Sequence, residues 1–346
     1  MKKYILMLAI LLGTITANAQ EKVDTVIITL QNGSEVRYTT KQFDRVQVIF
    51  NLEYGVKVYL KDGKSKDYLA TKVTVAQYHT GGEVVTDKNV NRNKYRAKLL
   101  EYPHLAEDST MNQLIVKSTA DYGITFSLEW SYADKANRWT CYQMHKGNME
   151  NHTTRTDDFK EDPEIPSQYR TYPNDYSKSG FSKGHLCPSA DRLCSKDQNK
   201  QTFYMSNMQP QYQEHNGGLW NNLEEKVRVW AEGCDTLYVV KAATIRSDQL
   251  RPEKCNGKLI VPMYFYMALL AYDKNDEKKP YKALALWTLH QKVSDKNKNY
   301  GDYAMTIDEL EELTGIDFFC NLPDNIEDEV EGVIDLKYWG IKKTGQ

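Results

Sequence analysis

Two adjacent glycines, Gly217 and Gly218, stand directly before Leu219, Leu223, Val227 and Trp230, four apolar residues at helical spacing. Glycine is unfavourable inside a helix, so the pair predicts a helix start near Gly218 and leaves Asn216 at or before the first turn. The apolar stripe commits this helix to a core, while Glu224 and Arg228, four residues apart on its surface, are placed to pair with each other. Asn216 and Glu224 are eight residues apart, about 12 Å along a straight helix. Both can serve one ion only if the helix start is bent or one of them acts through water. Upstream, Gly184 gives the backbone freedom to turn beside His185, whose imidazole titrates near neutrality and is the usual kind of general base.

Three blocks of sequence follow one another: KGHLCPSADR at 183–192, SNMQPQ at 206–211 and HNGGLWNNLEEKVR at 215–228. In this order they resemble the DNA/RNA non-specific endonuclease family, the sugar-nonspecific nucleases to which mitochondrial endonuclease G is related. The family pattern is Asp-Arg-Gly-His with a following Pro, then Ser-Asn-x-x-Pro-Gln, then Asn with downstream Trp and Leu-Glu. The resemblance implies an α+β fold of the ββα-metal (His-Me finger) type, with an antiparallel sheet core and flanking helices. It implies a metal-dependent hydrolase that cuts phosphodiester bonds of DNA and RNA and leaves 5′ phosphates.

Roles carry over residue by residue. His185 matches the base that activates water, Asn216 the direct ligand of a divalent cation, Mg²⁺ or Mn²⁺, and Glu224 the carboxylate that holds the metal's water shell. Arg228 matches a phosphate-contacting arginine, and Arg155 is the candidate for an upstream arginine at the scissile phosphate. Lys183, Asn207 and Gln211 fall at supporting or substrate-binding positions. Where the family has Asp-Arg before Gly-His, this chain has Ser182-Lys183, so a carboxylate is lost and a forked guanidinium becomes a point charge. That change is the one support for a rival reading, a catalytically inactive nuclease fold used for binding or adhesion. A zinc centre at His185, Cys187 and Cys194 is disfavoured by spacing, whereas Asn with water suits a hard, oxygen-loving cation. No HExxH segment or glycosidase-like carboxylate pair is present.

The chain opens with MKKYILMLAILLGTITANA, two lysines before an apolar run and small residues at 17 and 19, which reads as an export signal over 1–19 cut before Gln20. Export to the periplasm or beyond follows as an expectation, and in that setting six cysteines suggest disulfides. No later stretch is apolar enough to span a membrane. Residues 20–80 read as a small β module: TVIITLQNGSEVRYTT and VKVYLKDGKSKDYLAT repeat at a spacing of 30, with Asn32-Gly33 and Asp62-Gly63 as hairpin turns. Residues 81–94 read as a linker and 95–346 as the nuclease domain.

Within that domain LEYPHL and the run from Ile124 to Lys146 read as strands, and 147–176 as a loop presenting Arg155. Three strands are expected after the helix, then a short helix ending at Gly315 and an acidic surface turn at NIEDEVEG. Tyr169, Tyr172 and Tyr176 are candidates for base stacking or packing. Taking Lys2 and Lys3 from the 45 basic side chains leaves 43 against 47 acidic ones, a net −4. Binding of DNA or RNA then rests on a local cationic cleft, assigned to Arg155, Lys183, Arg192 and Arg228, and is expected to be salt-sensitive. Association into a homodimer and any protein partner of the N-terminal module are left open.

Overall fold

A computed structural model describes residues 2–6, 14–16, 25–30, 35–39, 42–49, 55–69, 73–80, 91 and 99–344 except 296. The chain divides into two compact units, residues 1–100 with 320–327, and 101–319 with 328–346.

Among the described residues of the first unit, eight strands run as β1 (Lys2–Leu6), β2 (Thr14–Thr16), β3 (Thr25–Leu30), β4 (Glu35–Thr39), β5 (Phe43–Ile49), β6 (Gly55–Leu60), β7 (Ser65–Leu69) and β8 (Val73–Thr80). They form two four-stranded sheets, ordered β1-β8-β3-β4 and β2-β5-β6-β7. Each sequence repeat folds on itself in the same register, Val26 opposite Tyr38 and Val56 opposite Tyr68. Gly63 takes the left-handed φ of 83° that its turn needs. The N-terminal run read as an export signal supplies β1 and β2, paired to β8 and β5, while its cleavage point lies outside the described residues. So does the linker apart from Asn91, which is buried and whose N–H donates to Asn321 Oδ1 at 3.2 Å.

The second unit is built on a seven-stranded antiparallel sheet. Its strands are β9 (Asn112–Thr119), β10 (Gly123–Ser131), β11 (Ala136–Met144), β14 (Thr236–Ala243), β15 (Tyr264–Tyr272), β16 (Tyr281–Leu289) and β17 (Ala304–Met305), in the order β17-β16-β15-β14-β11-β10-β9. Between β11 and β14 the chain makes a separate hairpin of β12 (Ser182–His185) and β13 (Met208–Gln211). The helices are α1 (Lys196–Gln201), α2 (Asn221–Glu232), α3 (Ile307–Thr314), α4 (Asp324–Glu331) and α5 (Leu336–Trp339).

β15 is buried at every position but its ends, as expected of a central strand covered on both faces. One core gathers Leu219, Leu223, Val227 and Trp230 of the α2 stripe against Leu128, Trp130, Val239 and Leu269 of the sheet. α3 is capped at its start by a reciprocal Thr306–Glu309 pair and stopped by Gly315 at φ 68°. Two expectations fail. LEYPHL is turn and irregular chain, and the acidic NIEDEVEG lies in α4, not in a surface turn.

Candidate active site

The hairpin and α2 form a ββα unit, and the link between them is where the sequence is most unusual. Residues His215–Trp220 wind as a wide π turn, and Gly218 breaks it at φ −109°, ψ −111°. The helix start is therefore bent, and it lies three residues earlier than the glycine rule placed it. Asn216 is half-buried, and its side-chain amide has no hydrogen-bond partner among the described residues.

His185 ends β12 opposite Met208. Its ring meets Phe203 edge-on at 5.0 Å between centroids and lies 5.7 Å from Phe159. Nε2 is buried without a hydrogen-bond partner. Burial, then the charge of Arg155, push its pKa down to about 3, with the Lys183 bond opposing. The ring is neutral around pH 7. The same two phenylalanines carry the nearby cations: Arg155 lies over Phe203 at 4.8 Å and Lys183 over Phe159 at 4.9 Å. Arg155 is brought there by a loop pinned through Thr156 N–H to Asn199 Oδ1 at 3.0 Å and Met205 N–H to the Lys160 carbonyl at 2.9 Å.

Glu224 faces Lys241, a β14 residue with no exposed side chain, at 3.4 Å. Burial raises the Glu224 carboxyl to about 7, against the opposing field of Lys241. Arg228 does not pair with Glu224 along the helix. It binds the buried Asp191 at 2.9 Å, whose second oxygen accepts from Tyr142 OH at 2.8 Å. Sequence reasoning missed Lys241 and Asp191, although a lysine inside the apolar run LYVVKAA was a signal that its charge must be matched.

Several assignments change. Arg192 is fully buried and donates to the carbonyls of Thr125, Asp191 and Gln143 at 2.6, 2.6 and 3.0 Å, so it is no part of a cleft. Asn207 is also fully buried. Its amide donates to the Cys187 and Thr202 carbonyls and its oxygen accepts from Cys187 N–H, which fixes the loop after His185 and leaves nothing for substrate. Gln211 is buried too, bonded to His215 at 2.7 Å. Tyr169 stacks on Tyr132 and Tyr176 is buried, so these two pack.

All six cysteines are free thiols, so the expected disulfides are not formed. Gly180 to Gly184 spell the Gly-x-Ser-x-Gly of serine hydrolases, which requires a strand-to-helix elbow. Ser182 instead starts β12 and donates to Gln213 Oε1 at 2.5 Å.

The Asn216 amide and the Glu224 carboxylate each offer oxygen donors, and His185 an unpartnered ring nitrogen. That set fits a hard divalent cation. A separate carboxylate group, Asp308, Glu311 and Glu331, has oxygens within 4.8 Å of one another and includes none of these residues.

A family model described as DNA/RNA non-specific endonuclease matches residues 110–325. A nuclease of Nostoc sp. is 30% identical over 233 residues, 65% of this chain and 79% of that protein. The mitochondrial nuclease EXOG of Mus musculus is 27% identical over 240 residues, 65% of each chain. Nuclease C1 of Cunninghamella echinulata is 32% identical over 172 residues, 47% of this chain and 67% of its own. Among solved structures, a chain of the EndoG/EndoGI complex aligns with a TM-score of 0.51 at 21% identity, covering 60% of this chain and 86% of that one.

Proposed function

This chain is an enzyme of the DNA/RNA non-specific endonuclease family, and from that premise we propose that it is an exported hydrolase of DNA and RNA phosphodiesters working at the His185 site. The observation that carries the reading is the buried, partnerless Nε2 of a neutral His185.

In this reading His185 Nε2 takes the proton of the attacking water. Arg155 and Lys183, on the outer sides of Phe203 and Phe159, attract the phosphate and stabilise the charge that grows on it. Arg228, oriented by Asp191, adds a further cation. Asn216 would hold the divalent cation, Mg²⁺ or Mn²⁺, and Glu224 its water shell. When bound, that ion supplies positive charge at the phosphate and the leaving 3′ oxygen. Glu224 is kept available for this by Lys241.

Binding led by phosphate contacts would give cleavage with little sequence preference. Nutrient scavenging or defence against extracellular nucleic acid would suit an exported enzyme of this kind. Among the described residues no helix is long and apolar enough to cross a membrane.

The test is a gel assay of the purified chain on plasmid DNA and on RNA, with Mg²⁺ or with EDTA, beside His185→Ala. Degradation of both substrates, abolished by EDTA and by the substitution, is the expected result. A folded protein that degrades neither would make it a nucleic-acid-binding relative that has lost catalysis.

A further inference from the structure

Behind Asn216 lies a set of buried polar groups that the proposed chemistry does not use. His290, directly after β16, is fully buried; its Nδ1 lies 2.7 Å from the Pro262 carbonyl, and its Nε2 accepts the Tyr212 N–H at 2.7 Å. The Tyr212 carbonyl in turn accepts the Asn216 N–H at 2.8 Å and the His215 N–H at 3.1 Å. A second branch runs beside the first. Thr288 OH donates to the Phe265 carbonyl at 3.0 Å, so toward His215 Nε2, 3.1 Å away, its oxygen accepts. His215 Nε2 therefore carries the hydrogen, and its Nδ1 accepts from Gln211 Nε2 at 2.7 Å. Each tautomer is set by a backbone carbonyl of the strand pair β15–β16, at or just before β15.

We propose that His290 and His215 are positioning residues that transmit the geometry of the β15–β16 end to the π turn and so fix the direction of the Asn216 amide toward its cation. The inference rests on the reading of Asn216 as a metal ligand. A wide π turn broken at Gly218 has fewer internal constraints than an α-helix, so the residue it presents needs outside anchors. The two branches supply them: one grips the peptide carrying Asn216 through Tyr212, the other locks the side chain immediately before it. Packing reinforces both, since the His290 ring stacks on Tyr212 at 4.3 Å and His215 lies 5.9 Å from Trp220.

Partners that orient a metal ligand commonly change affinity 10- to 100-fold when lost. His290→Phe keeps a ring to stack on Tyr212 and removes both hydrogen bonds. Mn²⁺ binding to the full chain, followed by the resonance of free Mn²⁺, should weaken roughly tenfold in this variant. Its kcat on plasmid DNA should recover to near the wild-type value at saturating Mn²⁺, and His290→Gln, which can both accept and donate, should recover most of the affinity. Thr288→Val, a smaller change that removes the Thr288 bonds to His215 Nε2 and to the Phe265 carbonyl, should weaken Mn²⁺ binding about threefold and serves if His290→Phe does not fold. Wild-type Mn²⁺ affinity in a folded His290→Phe, or in Thr288→Val where the former does not fold, overturns the inference. Asn216→Ala separates the two readings: undiminished Mn²⁺ binding there would refute the metal-ligand role itself, whereas lost binding there with normal binding in His290→Phe would refute only the positioning.

Discussion

At His185 and Glu224 burial acts on two groups of opposite kind and moves their titrations in opposite directions. His185, lowered to about 3, is a free base throughout the neutral range and contributes no limb to a pH profile above pH 4. Glu224, raised to about 7, does. Under the proposed mechanism kcat/KM should fall about tenfold per pH unit below 7, and raising the Mg²⁺ concentration should push that limb toward lower pH, because proton and cation compete for one carboxylate. An acid limb near pH 3, unmoved by Mg²⁺, would contradict this.

Lys241 permits a second test. Lys241→Met leaves Glu224 buried without a counter-charge and should cost about 3 kcal/mol in denaturant unfolding at pH 8, with part of it regained in Lys241→Met, Glu224→Gln. Neither Lys241 nor Asp191 was legible as a partner in the sequence, because Lys241–Glu224 and Asp191–Arg228 are pairings made only when β14, α2 and the loop after β12 pack together. His185 and Asn216 were legible because each stands beside glycines that declare the local backbone.

Among elements, the β12–β13 hairpin depends on an absent side chain. A Cβ built on Gly184 would lie 2.1 Å from Gln211 Oε1 and 2.8 Å from its Cβ. Gly184→Ala should therefore force the strands apart at a cost of about 1–3 kcal/mol, seen as a lower thermal midpoint, and Gln211→Ala in the same chain should restore part of it. An unchanged midpoint would mean that Gln211 swings aside freely. The same scale shows why helices were read unevenly. α2 announced itself because its inward residues are Leu223, Val227 and Trp230. α4 did not, because its buried residues include Glu327 and Glu331, carboxylates that no apolar period reveals. The π turn was hidden for another reason: Gly217-Gly218 signalled an interruption, but its type is decided by anchors at Thr288 and His290, about 70 residues away.

Across the whole molecule, charge is spread thinly and attraction to nucleic acid rests on few groups. With net charge −2 for the full sequence and Arg192 committed to the interior, Arg155, Lys183 and Arg228 carry the proposed phosphate contacts. Three contacts imply a slope of log affinity against log salt of about −2 to −3, so raising NaCl from 50 to 200 mM should lower kcat/KM by roughly one to two orders of magnitude; a flat response would argue against phosphate-led binding.

The buried rings set the response of the fold to acid. His185, His215 and His290 all titrate lower folded than the ordinary 6.5, so the stability they contribute is present above pH 6.5 and lost as pH falls toward 3. The raised carboxyls of Glu101, Glu224 and Glu311 act the other way down to about pH 4.5, so the thermal midpoint should fall mainly below that pH. The six unbonded thiols described above bear on handling and habitat alike. Since no crosslink waits on an oxidant, dithiothreitol should leave melting and cleavage unchanged, and the fold is as attainable under reducing conditions as under oxidising ones.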